Sequence, residues 1–474
     1  MSDLPTVPPR IRSYQRRRAG VPLASDRPWR QRLLTPWIPA VAAIIAVEVF
    51  SLSWMMRYLM ADTTQADGTV VPGFSGDAIR LAATYALPTL AVYSLLFILA
   101  DRFRPQRLGL WLLAVTWGGS AACAGALFLN EWASSRLAVT WWAPGYDQAR
   151  LAIYIAPFVE ETTKAVILFA IAFIARGRIT SRLSGIALAG LTAVGFAFTE
   201  NIVYYGQVIV YGSYSAGTGE VMSWLRDLAI QRGIFYSFGH PLFTAMTGIG
   251  LVVAVRSRSK LVRVTAPLAG YLAAVLGHMG FNTAASLLSG TQLNLVYALI
   301  MLPAVFALVL VAVFTLRRQR QLIVDRLTDY VIMGWLPATY PELFSRWWTR
   351  TKALLASLWH GSPWATLQLQ STISELVYLR DASGRGVVDD GGLWREHELV
   401  DRVHRLRSQH AVENPRGLRP YFWRRRTNQI GWASPLGLPT GGVASHQASA
   451  MVRAGTPARS SLGSAVDPRW GPPG

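Results

Sequence analysis

Cysteine is almost missing from this chain: Cys123 is the only one in 474 residues, so an intrachain disulfide and paired-thiol redox chemistry are both excluded. Charge is scarce as well. Asp, Glu, Lys and Arg make up 15% of the residues against 52% hydrophobic ones, a balance too apolar for a soluble enzyme of this length. Acidic residues are the scarcer sign, 26 against 46 basic, which leaves a formal net charge of +20. On a soluble surface that excess would point to nucleic acid. Here the basic residues fall at the ends of apolar runs, so no nucleic-acid partner is expected. No small-residue cleavage site closes the first apolar stretch, and the Pro- and Arg-rich segment before it is too long for a signal-peptide n-region. That stretch therefore reads as an uncleaved span, and Cys123, inside another apolar run, reads as packing.

What is present is a series of apolar runs of roughly 20 residues, the length needed to cross ~30 Å of hydrocarbon. They lie near 37–60, 78–100, 108–130, 149–175, 183–206, 233–255, 264–288 and 294–316. The fold class expected is all-α, a polytopic membrane protein with about eight transmembrane helices, amphipathic cytoplasmic helices and disordered tails. Loop charges set the orientation. Arg102, Arg104 and Arg107, then Arg176, Arg178 and Arg182, then Arg256, Arg258, Lys260 and Arg263, and finally Arg317, Arg318 and Arg320 follow alternate spans. The other loops, 61–77, 131–148, 207–232 and 289–293, hold only Arg136, Arg226 and Arg232. A multi-pass protein of the cell membrane with both termini cytoplasmic follows. Four regions are expected: a basic disordered N-terminus over 1–36, a transmembrane domain over 37–316, cytoplasmic or interfacial helices over 317–411, and a disordered tail over 412–474 rich in Gly, Pro, Ser, Ala and Arg. No internal repeat is evident.

Polar residues inside the spans carry the chemistry. The fourth span holds Glu160, Glu161 and Lys164 where apolar residues belong. Charged groups at a helix centre cost ~2.5–3.5 kcal/mol each on insertion scales, so they require a protein-lined, wet cavity. Glu160 and Lys164, at i and i+4, form a favourable ion pair, but that neutralises one carboxylate only. The fifth span ends on Glu200 and Asn201, preceded by Gly185, Ala189, Ala193 and Ala197, a small-residue stripe suited to close helix packing. Asn201 alone reads equally as interhelical hydrogen-bond glue. The sixth span contains His240 and the seventh His278 and Asn282, the latter two on one helix face. A single histidine in an apolar helix is ordinarily a packing residue. Counted from the outer span ends, however, Glu160, Glu200, His240 and His278 all lie roughly 9–17 Å deep at 1.5 Å per residue. Four antiparallel spans sharing one polar layer point to a common site. Glu48 in the first span has no such companion and reads as structural, and Gly248 and Gly250 read as helix contacts.

The ordered set Glu160-Glu161-Thr-Thr-Lys164, Phe196-Ala-Phe-Thr-Glu200-Asn201, His240-Pro-Leu-Phe243 and His278-Met-Gly-Phe-Asn282 resembles the PrsW family of intramembrane proteases over roughly 37–316. That family is similar to the type II CAAX prenyl endopeptidases. Lys164 and the Glu200-Asn201 pair depart from the latter's pattern. The resemblance implies an intramembrane endopeptidase that cleaves a membrane-anchored substrate, with the bilayer as its other partner. It further suggests site-1 cleavage of an anti-sigma-like regulator.

Peptide hydrolysis needs an activated water and a stabilised oxyanion. Without a metal, Glu160 or Glu161 would be the base, with one histidine assisting and Asn201 or Asn282 as the oxyanion donor. With a divalent metal such as zinc, His240, His278 and Glu200 would be its ligands and Glu160 or Glu161 the base. The catalytic candidates are thus Glu160, Glu161, Glu200, His240, His278 and Asn282, with Lys164 and Asn201 in support. No His-Glu-x-x-His helix is present to favour the metal. A proton- or ion-coupled transporter is the alternative, because intramembrane carboxylates and histidines also form proton relays. Inverted repeats or broken helices in two halves would mark one. The polar residues instead concentrate in one half of the chain.

Overall fold

The protein is described by a computed structural model over residues 37–64, 68, 70–103, 108–137, 151–174, 179, 181–215, 218–257, 259–360, 362–384, 390–409 and 411–414. The expected disordered N-terminus over 1–36, the expected tail over 412–474 apart from 412–414, and the loop residues Arg104, Arg107, Arg176, Arg178 and Arg258 lie outside these. The described residues fall into two compact units, one over 37–101 and 108–313, the other over 102–103 and 314–414.

Apolar composition and continuous backbone pairing make the first unit almost entirely helical. Its elements are α1 (Trp37–Met60), α2 (Gly76–Ala100), α3 (Leu108–Trp117), α4 (Cys123–Leu137), α5 (Ala156–Ile174), α6 (Arg182–Ser215), α7 (Thr218–Ile230), α8 (Gly239–Arg256), α9 (Lys260–Leu287) and α10 (Gly290–Val296), leading into α11 (Leu302–Ile332). Wide π turns at Gly118–Ala122, Leu151–Ile155, Gln231–Phe235 and Tyr297–Met301 shift the helical phase between or ahead of these segments. A two-residue hairpin pairs β1 (Thr63–Thr64) antiparallel with β2 (Val70–Val71). Cys123 is free and buried, packed with Met55, Ala122, Ala126 and Phe196.

Among the described residues, seven helices are long and apolar enough to cross a membrane: Pro39–Met60, Gly76–Ala100, Gly109–Ala133, Arg182–Gly212, Gly219–Arg256, Lys260–Leu287 and Gly290–Ile332. Eight were expected. The remaining one is α5, whose 19 residues include Glu160, Glu161 and Lys164. Two of the expected loops are also helical. The 207–232 stretch continues α6 and forms α7, because Val221 and Leu225, one turn apart, are buried, with Leu225 packed against Ala82, Ala86 and Tyr205. At 289–293 a capping box between Ser289 and Gln292 starts α10.

Helix α6 is the most enclosed element of this unit, with Leu183, Ala187, Ala189, Leu191 and Ala193 essentially inaccessible. Its small-residue stripe meets α8 at backbone distance: a Cβ on Gly185 would lie 2.5 Å from Gly248 O. The α8–α9 crossing is as tight, since a Cβ on Gly250 would lie 2.4 Å from Ala266 O and one on Gly270 2.4 Å from Met246 O. These two crossings bring the histidine-bearing faces of α8 and α9 to α5 and α6.

The second unit is built from the C-terminal part of α11 with α12 (Tyr340–Ser345), α13 (Trp347–His360), α14 (Pro363–Gly384) and α15 (Asp390–Ser408). Phe103, Leu327, Tyr340, Leu369, Leu376 and Val403 lie in its apolar core. Arg350, buried within it, donates to Phe103 O at 3.2 Å, to Gln370 O at 2.7 Å and to Ser374, and burial pushes its pKa down to about 10.

Substituting Gly250→Val should destabilise the helix crossing by about 1–3 kcal/mol or more, because the neighbour is backbone and cannot rotate away. Thermal unfolding of the detergent-solubilised protein would register this as a lowered midpoint. Gly109→Ala, where an added Cβ meets nothing within 4 Å, should leave the midpoint unchanged.

Candidate active site

Helix α5 supplies two adjacent carboxylates, and the surrounding helices give them different environments. Glu161 is fully enclosed and saturated. Its Oε1 accepts from Lys164 Nζ at 3.0 Å and from His278 Nδ1 at 3.2 Å, while Oε2 accepts from Thr244 Oγ1 at 2.8 Å. Glu160 is the opposite case, because its Oε2 is buried and accepts no hydrogen bond. That oxygen faces Lys164 Nζ at 3.5 Å, His278 Nε2 at 3.8 Å and His240 Nδ1 at 3.9 Å. An orphaned buried carboxylate oxygen between two imidazole nitrogens is costly in a structural site and useful in a reactive one.

Each histidine is anchored on its far side by a carboxylate. Carboxylates only accept, so His278 carries its proton on Nδ1, toward Glu161, and leaves the Nε2 lone pair facing Glu160. His240 is turned the other way. Its Nε2 donates to Glu200 Oε2 at 2.9 Å, and its Nδ1 accepts from Lys164 Nζ at 2.9 Å. Both restraints select the same tautomer, with Nδ1 toward Glu160. The rings are 5.0 Å apart, edge to face, with Phe243 stacked on His278 and Phe196 tilted against His240. The Lys164 ammonium, wholly inaccessible, also sits 3.9 Å over the Phe196 ring.

Glu160, His240 and His278 each offer one ligand atom, and these lie within 4.8 Å of one another. The expected ligand set names Glu200 beside the two histidines; the carboxylate grouped with both of them here is Glu160. Glu200 is engaged behind His240 and is paired with Arg232 Nη2 at 2.6 Å. The fit to a metal is good by donor type: two imidazole lone pairs, each backed by a carboxylate, and one unsatisfied carboxylate oxygen. Lys164 Nζ would have to give up His240 Nδ1 on metal binding and keep its contact with Glu161.

Two other candidate residues are committed to the framework. Asn282 Nδ2 donates to Ala152 O at 2.8 Å, inside the π turn that opens α5, and makes no hydrogen bond to the Glu/His cluster among the described residues. Asn201 Oδ1 accepts from Arg232 Nε at 2.8 Å. Glu48 lies apart and accepts from Thr116 Oγ1 at 3.0 Å. Two participants escaped the sequence reading. Thr244, one turn after His240 on the same face of α8, was legible by spacing; Arg232 looked like a loop residue because the helical phase changes at Gln231–Phe235.

Replacing Lys164 with Met strands the inaccessible Glu161 carboxylate, for an expected loss of about 3–5 kcal/mol in thermal or denaturant unfolding. The double substitution Glu161→Gln/Lys164→Met should recover most of that loss. A double variant no more stable than Lys164→Met would show that the two groups are not coupled.

Neither a curated protein nor a solved structure matches this chain. A family model does match, over the stretch that carries all four motifs: residues 106–308 match the PrsW-protease model, described as PrsW family intramembrane metalloprotease.

Proposed function

We propose that this protein is an intramembrane peptidase whose reactive carboxylate is Glu160. The observation that carries the proposal is the orphaned Glu160 Oε2, facing His278 Nε2 and His240 Nδ1 at 3.8 and 3.9 Å. Glu161, by contrast, has both oxygens occupied and serves to hold His278 and Lys164. The substrate is a membrane-anchored protein, and the anti-sigma-like regulator suggested by the motifs is the finer form of that reading. Basic residues after alternate spans support cytoplasmic termini in a cell-membrane protein.

In this mechanism the Glu160 carboxylate takes a proton from the attacking water as the water oxygen bonds to the carbonyl carbon. It delivers that proton to the amide nitrogen as the C–N bond breaks. Lys164, the nearest cation, offsets charge developing on the carbonyl oxygen. Glu161 and Glu200 orient the two imidazoles, each accepting from the ring nitrogen that faces away from Glu160. Glu160 Oε2, His240 and His278 are the residues that would hold a divalent ion such as zinc; Glu160 would then act as a ligand, and its role as base belongs to the form without a metal. A bound ion would polarise the scissile carbonyl and acidify water.

The test compares new protein N-termini in membranes of cells expressing the parent, Glu160→Gln or His278→Ala. Cleavages inside or beside apolar segments should appear with the parent and vanish, by 100-fold or more on the scale of about 10²–10⁴ for a lost acid–base group, in both variants. Identical termini in all three would refute the peptidase reading. Metal analysis of the purified parent should find stoichiometric zinc that is lost in His240→Ala and His278→Ala. Chelation should abolish cleavage and zinc should restore it.

A further inference from the structure

Arg232 lies in the π turn Gln231–Phe235, immediately ahead of the helix that bears His240. Its guanidinium is held at three points on α6. Nη2 donates to Glu200 Oε2 at 2.6 Å, Nε donates to Asn201 Oδ1 at 2.8 Å, and the plane lies 3.8 Å over the Tyr204 ring. Residues 200, 201 and 204 occupy one turn of α6, so Arg232 reads that turn with its fork, its Nε–H and its face together. The same Glu200 oxygen that receives Arg232 also receives His240 Nε2 at 2.9 Å. A carboxylate with only the imidazole as partner could turn about its side-chain torsions; one gripped by a guanidinium cannot do so without losing a half-buried ion pair.

We infer that Arg232 is a positioning residue: acting through Glu200, it holds the His240 ring with Nε2 protonated and Nδ1 turned toward Glu160 and His278. The effect on cleavage rests on the peptidase reading above, whereas the effect on the ring does not. Arg232 touches no reacting atom. It makes Glu200 a fixed acceptor, and Glu200 fixes the ring. Supporting carboxylates behind ligand or acid–base histidines are typically worth 10- to 100-fold in affinity or activity.

The experiment uses the full-length protein in detergent and the histidine reagent diethyl pyrocarbonate, with modification of each ring read by peptide mass spectrometry. Arg232→Met should raise the modification rate of His240 relative to His278 severalfold, and Arg232→Lys should fall between Arg232→Met and the parent. Because Arg232→Met strands a carboxylate and can lower stability, the double variant Glu200→Met/Arg232→Met is the decisive sample. It removes both charges and should regain a cooperative thermal transition, yet keep the raised His240 ratio and a cleavage rate about 10- to 100-fold below the parent. Methylguanidinium at millimolar concentration should return the His240 ratio of Arg232→Ala toward the parent value. A folded double variant whose His240-to-His278 ratio matches the parent's would overturn the inference and leave Arg232 as a helix tie only. If the parent cleaves nothing, the peptidase reading fails while the ring measurement still decides the role of Arg232.

Discussion

The interaction on which the rest of this structure depends is the enclosure of the Lys164 ammonium. It is fully inaccessible and lies 3.0 Å from Glu161, 3.5 Å from Glu160 and 2.9 Å from His240 Nδ1. An isolated ammonium in an apolar interior is prohibitive, so the helices must converge around it before α5 can be stable. Glu161 arrives on the same helix, but Thr244 and His240 come from α8, His278 from α9 and Phe196 from α6. One cation thus makes the packing of four helices conditional on a single polar network. The tight crossings at Gly185–Gly248 and Gly250–Gly270 let the backbones approach closely enough to complete it.

Two adjacent glutamates end up with unlike tasks for a geometric reason. Successive residues on a helix point about 100° apart, so Glu161 turns toward Lys164, Thr244 and His278 while Glu160 turns to the gap between the imidazoles. Glu161 is stabilised as an anion by three donors. Glu160 shares the same ammonium at a longer distance and has no hydrogen bond to Oε2. With Arg232 neutralising Glu200, three carboxylates face two fixed cations, and one negative charge is left at Glu160. That residual charge is what a proton or a divalent ion would balance, which links the electrostatics of the cluster directly to its chemistry.

The helical class, the small-residue stripe of α6 and the convergence of polar residues from four helices were legible in the sequence, because each rests on periodicity or on the cost of burying charge. The joining carboxylate was not. Sequence spacing places Glu160, Glu161 and Glu200 in one layer but carries no information on rotamers, and rotamers decide that Glu200 lies behind His240 while Glu160 lies before it. The place of Arg232 in a helix-linking turn and the hydrogen bond of Asn282 to Ala152 were not legible for a related reason. Arg232 sits in a π turn and Asn282 holds the carbonyl of another, and each π turn shifts the helical phase on which face assignments depend.

The three charged residues that keep α5 out of the seven apolar, charge-poor spans do so for a reason that belongs to function. The helix with Glu160, Glu161 and Lys164 is the one too polar to qualify by composition, although it is flanked by apolar residues such as Val166, Ile167, Leu168 and Phe173. Each charge costs ~2.5–3.5 kcal/mol at a bilayer centre when taken singly. The Glu–Lys spacings of three and four residues offset part of this within the helix itself, so α5 can enter as a partly neutralised segment. The remainder is offset only when α8 and α9 supply Thr244, His240 and His278. Stability of α5 in the membrane and completion of the site are therefore the same event, and a substitution that empties the cluster weakens both.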